Sequence, residues 1–193
     1  MNHLSRKDLM TLEAYSEARP EFRKQVMAHK KNRRIMIGPA ITFHFEDRLT
    51  IQYQIQEMLR VEKIFDSSGI QEELESYNPM LPNGSNWKAT MMIEYPDPEE
   101  RAQHLANMIG IERMTWVQVG DLAQITAIAD EDLERENEVK TSSVHFMRFE
   151  LDDVMLEAAK AGAAIHMGIE HPYYFHKLTL TEGQRDSLVR DLK

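Results

Sequence analysis

Apolar positions recur at helical spacing along the first third of the chain, then alternate or run together at strand spacing through much of the second half. Ser5, followed three residues later by Asp8, has the pattern of a helix N-terminus. A residue before proline avoids the α region. A first helix is therefore expected to stop near Arg19 and a second to open at Pro20 and run to about Asn32. Arg34–Ile37 and Ile41–Glu46 flank Gly38-Pro39 and predict a hairpin. Ile41, Phe43 and Phe45 share one face of its second strand, and Thr42, His44 and Glu46 share the other, which the alternation assigns to solvent. From about Asp47 to Phe65 the period returns to about 3.6, with Ile51, Ile55, Met58, Leu59 and Phe65 in one stripe. Glu62 falls in the middle of that stripe. Ser68 and Gln71 predict a short helix to Tyr77, and residues 78–87 are dense in turn formers. Ala89 to Tyr95 reads as a strand. Asp97-Pro98 then reads as the N-cap and first position of a helix ending by Gly110.

In the second half, Met114–Val119 and Leu122–Ala129 flank Gly120-Asp121, a two-residue hairpin turn. The acidic stretch 130–138 is expected to be a solvated connection leading into a strand over Ser143–Leu151. Asp152 or Asp153 caps a helix ending at Gly162. Strands follow on both sides of His171-Pro172, and Thr181 with Gln184 boxes a last helix. The expected class is α+β: a helical N-terminal half, about 1–110, packed on a mainly antiparallel sheet from the β-rich remainder, about 111–193. One domain over 1–193 is expected.

Composition narrows the function. With 23 Lys+Arg against 32 Asp+Glu, the net charge is −9, the wrong sign for a general nucleic-acid binder. The absence of cysteine excludes disulfides, thiolate zinc sites, cysteine-ligated iron–sulfur clusters and a cysteine nucleophile. No uncharged run is long enough for a membrane helix, and the N-terminus lacks the apolar core of a secretion signal, so a cytoplasmic protein is expected. Of the 13 methionines, Met10, Met27, Met58, Met108 and Met155 fall in helical segments, and methionine richness reads as packing.

Three groups could carry chemistry. His166, Glu170, His171 and His176 offer nitrogen and oxygen ligands suited to iron, manganese or zinc. On an extended strand His166 and Glu170 would lie ~13 Å apart, so a shared metal requires a bend at His171-Pro172. Glu62, on an apolar stripe, must be paired, metal-bound or protonated if buried, and would then suit acid–base work. Lys30, Lys31, Arg33 and Arg34 form a basic segment that either closes a helix or presents an anion or partner patch. There is no GxGxxG, P-loop, GxSxG or HExxH motif.

The block Phe45–Arg60 (FEDRLTIQYQIQEMLR) resembles an uncharacterised bacterial family, the domain of unknown function number 3501. Further matching stretches are Ala28–Lys31, Gly69–Leu74, Tyr77–Pro79, Ile93–Pro96 and Gly168–Pro172, so the resemblance spans nearly the whole chain. It implies one family-length domain and supplies no reaction. It also implies genes encoded near rubrerythrin-like and iron–sulfur proteins, which are the expected partners. The expectation is then a cytoplasmic accessory factor of iron or redox metabolism that binds a non-haem metal. Its alternatives are a protein-interaction module and a small-molecule enzyme using a buried carboxylate. A homodimer through a sheet edge is also expected.

Overall fold

The computed structural model describes residues 3–132, 135, 137 and 139–193. Ser5 and Asp8 do form a capping box, over a single 3-10 turn, Arg6–Asp8. Helix α1 then runs unbroken from Leu12 to Lys30 with Pro20 inside it, so the expected stop at Arg19 does not occur. Proline in a helix interior costs about 3 kcal/mol. Here the helix is held on both sides of Pro20 by Tyr15 and Val26, both fully buried, and by Arg19, paired at 2.7 Å with Glu57 of the next helix. Tertiary packing outweighs the local preference.

Strands β1 (Arg34–Ile37) and β2 (Ile41–Glu46) form the expected hairpin. Gly38 in its turn has φ +69°, and a Cβ there would lie 2.4 Å from the Tyr174 hydroxyl. Asp47 caps helix α2 (Arg48–Glu62), and Asp66 caps α3 (Ser67–Tyr77) in place of Ser68. Strand β3 (Asn86–Ile93), helix α4 (Pro98–Asn107) and strand β4 (Thr115–Val119) follow, joined by 3-10 turns after α3 and α4. The remaining elements are β5 (Ile125–Thr126), β6 (Ile128–Ala129), β7 (Val144–Glu150), α5 (Asp153–Lys160), β8 (Ile165–His171), β9 (Tyr174–Thr179) and α6 (Glu182–Val189). The loop between β4 and β5 is longer than the expected two residues, because Val117 pairs with Ile125 and Trp116 with Thr126. The acidic stretch 130–138 lies partly outside the described residues.

The class is α+β, with every strand pairing antiparallel: β1-β2-β3-β7-β6 in one sheet and β5-β4-β8-β9 in the other. Ala127 carries the chain from one sheet to the other between β5 and β6. The inward faces of both sheets meet in one apolar core. Phe43, Phe45, Trp87, Met91 and Phe149 come from the larger sheet, and Val117, Ile165, Met167 and Ile169 from the smaller. At another seam the buried Tyr174 hydroxyl donates to Ile37 O (2.6 Å) and accepts from Ala40 N (3.1 Å), tying β9 to the first hairpin. A second, smaller core (Ile51, Ile55, Leu59, Leu74, Leu81) joins α2 and α3. These helices are amphipathic, and they turn the outer face of the larger sheet into one wall of a cleft. No described helix is long and apolar enough to cross a membrane.

Candidate functional site

Antiparallel register sets the site. Glu46 on β2 lies opposite Lys88 on β3, which lies opposite Arg148 on β7. Directly opposed residues share a sheet face, so the three form one polar row across three strands. The core residues Phe45, Trp87, Ala89, Met147 and Phe149 flank them in sequence and point the other way. Ser76 at the end of α3 and Pro79 and Met80 after it cover the row from one side, and Glu131 and Asp132 close another. Phe146 contributes an apolar wall, and the enclosed cleft has a volume of about 330 Å³. That is at the lower end of the range for small-molecule sites, which pair mostly apolar walls with a few polar groups.

The polar row is unevenly satisfied. Glu46 accepts from Thr50 Oγ1 at 2.6 Å and from Thr90 Oγ1 at 3.3 Å. Burial pushes its carboxyl above the usual range, and these hydroxyls with the charges of Lys30 and Arg33 only partly offset that. Arg148 is saturated: Glu131 holds it at 2.7 and 2.9 Å and Glu150 at 2.6 Å. Lys88 stands between them, half-buried, with no hydrogen-bond or ion-pair partner among the described residues. Burial and the Arg148 charge lower its pKa more than Glu131 and Glu150 raise it. A carboxyl shifted up and an amine shifted down in one cleft is the pattern of groups prepared for proton transfer.

The segment that supplies Glu131 is fastened by a buried pair. Asp130, at φ +51°, accepts from His145 Nδ1 (2.5 Å) and from Phe146 N (3.0 Å). His145 Nε2 faces Thr141 Oγ1 (2.9 Å) and Ser142 O (3.1 Å). Both ring nitrogens are therefore held by hydrogen-bonding partners.

The sequence-derived candidates lie elsewhere. His166 and Glu170 project from one face of β8, and His171 from the other, by the pleat. His166 Nδ1 bonds Thr179 Oγ1 at 2.8 Å, and Glu170 is exposed. His171 is buried, accepts from Tyr173 N (3.1 Å) and donates to Ile109 O (3.2 Å). His176, opposite Ile169 on β9, packs edge-on against Tyr174 at 4.7 Å. The bend at His171-Pro172 is a chain reversal between β8 and β9, and it brings no ligand set together. Among the described residues no three His, Asp or Glu side chains form a group that could hold a metal. Glu62 is exposed at the last position of α2, so it is not the buried carboxylate its stripe suggested.

The basic segment is divided as well. Arg33 is 2 % exposed and bonds Phe45 O, Glu46 O and Ser187 O as well as Asp191 (2.5 Å). Lys30 lies 5.7 Å over the Tyr53 ring, and Arg34 pairs with Glu94 at 3.7 Å. Only Lys31 remains a plain surface cation among the four. Sequence reasoning missed Glu46 because it assigned that strand face to solvent. The available signal was Asp47, a helix cap directly after the strand, which turns α2 back toward the same sheet.

No curated protein matches the chain. A crystal structure described as a novel protein of unknown function from Burkholderia pseudomallei is 48% identical over 100% of both chains, with a TM-score of 0.94. The sequence model of a protein family of unknown function, DUF3501, matches residues 3–192. The chain belongs to that family.

Proposed function

We propose that this chain binds a small organic molecule in the cleft between α3 and the β2–β3–β7 face, with the polar end of that molecule at Lys88 and Glu46. The observation that carries this reading is the half-buried amine of Lys88, left without a partner among the described residues in a largely apolar cleft of about 330 Å³. An unsatisfied donor beside apolar walls selects an amphipathic ligand with an acceptor at one end. An accessory role beside iron and redox proteins is compatible with it and rests on the family resemblance, while cytoplasmic residence rests on the sequence pattern alone. The metal-binding form of that role has no ligand group behind it among the described residues.

Benzoate is a suitable first probe, having an acceptor end, an aromatic body and no capacity to condense with an amine. Titrated into protein carrying 13C-methyl methionine, benzoate should shift Met80, which lines the cleft, saturably. The surface methionine Met36 should stay still. Lys88→Glu should abolish the shifts. An unmoved Met80 resonance would refute the reading.

A further inference from the structure

Lys88 has an arrangement beyond that of an anchor. It is the one amine lining the cleft among the described residues, and Glu131 and Glu150, the carboxylates whose charges act on it, are already paired with Arg148. Arg148 thus takes up the acids that would otherwise hold a lysine as its ammonium ion, and its own charge opposes that ion. Across the register lies Glu46, whose buried carboxyl is pushed toward its protonated form. An unpartnered amine with a carboxyl opposite it in register, and apolar walls to hold a carbon skeleton, has the parts that carbonyl condensation requires.

We propose that Lys88 is a nucleophilic amine that condenses with the carbonyl group of a small aldehyde or ketone held in the cleft, a reading that rests on the cleft being the ligand site. The Lys88 nitrogen lone pair forms the C–N bond while the carbonyl π pair moves to oxygen, which takes the Glu46 proton. Nitrogen returns a proton to the Glu46 carboxylate, giving a neutral carbinolamine. Glu46 then protonates the hydroxyl, which leaves as water as the nitrogen lone pair closes the C=N bond. Amine, carbonyl compound and one proton become iminium and water, and nothing is oxidised or reduced. Glu46 acts here on the reacting oxygen and nitrogen, with Thr50 and Thr90 holding its carboxyl in place.

The test is reductive labelling of the full chain at neutral pH with cyanoborohydride and two probes, formaldehyde and benzaldehyde, followed by peptide mass spectrometry. Formaldehyde is small enough that access cannot limit it, and the other lysines are internal references. Lys88 should be labelled about tenfold faster than the exposed Lys24 and Lys31. Glu46→Gln should slow labelling at Lys88 and leave Lys24 unchanged, with circular dichroism reporting that the variant is folded. Labelling of Lys88 at or below the rate of Lys24 overturns the proposal. Benzoate-induced shifts at Met80 without preferential labelling would reject the amine chemistry and keep the cleft. Loss of both would reject the cleft as well.

Discussion

Arg33→Met removes the guanidinium that fastens the end of β2, and with it Glu46, to the C-terminal helix. The side chain is 2 % exposed and donates to three backbone carbonyls at 3.0–3.1 Å and to the Asp191 carboxylate at 2.5 Å. Methionine fills much of the volume but leaves the carbonyls without those donors and Asp191 without its cation. Removing one partner of a buried ion pair costs about 3–5 kcal/mol, a large part of the roughly 5–15 kcal/mol that holds a typical domain. At a urea slope of about 2 kcal/mol per molar, the midpoint should fall by about 2 M. Hydrogen exchange should accelerate first in α6, because Arg33 contacts it through Ser187 O and Asp191. Adding Asp191→Asn should restore about 1–2 kcal/mol, since it removes the stranded carboxylate. A midpoint shift under about 0.5 M, or a double variant less stable than Arg33→Met alone, would refute this reasoning.

Two carboxylates should give opposite pH slopes. Arg19, with Tyr15 and Arg60, holds Glu57 at about 2, so its contribution is present above about pH 4.5 and lost as pH falls toward 2. After allowance for solvent that contribution is about 1 kcal/mol, and Glu57→Gln should flatten the acid limb of a denaturation series. Burial pushes Asp191 up to about 6. Between about pH 4 and 6 the native chain therefore binds a proton that the unfolded chain has released, and stability falls as pH rises through that window. An unchanged slope there in Asp191→Asn would contradict the assignment. Gly168→Ala places a Cβ 2.3 Å from the Trp116 ring, so Trp116 must move at a cost of about 1–3 kcal/mol; tryptophan emission and a thermal melt report both effects. His145→Asn removes one of the partners of Asp130, which keeps Arg135 and Phe146 N, and should cost about 1–3 kcal/mol while weakening benzoate binding, because Glu131 follows directly on Asp130. Wild-type benzoate affinity in that variant would count against a linkage between the two.

What the chain showed before folding was local. The capping residues Asp47, Asp97, Asp152 and Thr181 mark helix starts because a side-chain oxygen bonds an amide two or three residues on, an interaction written in spacing alone. The β1–β2 hairpin and the strand pair around His171-Pro172 were legible for the same reason. Pro20 misled because the packing of Tyr15 and Val26 comes from other elements. Glu62 misled because α2 buries a narrower stripe than its periodicity suggested, and the late histidines because the pleat of β8 sends His166 and His171 to opposite faces. The row Glu46, Lys88, Arg148 depends on the registers of three strands separated by long connections, and no residue within any one strand announces it.

The most direct test of the central claim is methyl NMR of methionine-labelled protein titrated with benzoate, wild type against Lys88→Glu. The cleft as ligand site predicts a saturable shift at Met80 that vanishes in the variant. An unmoved resonance, or a shift that persists when Lys88 is reversed, would contradict it.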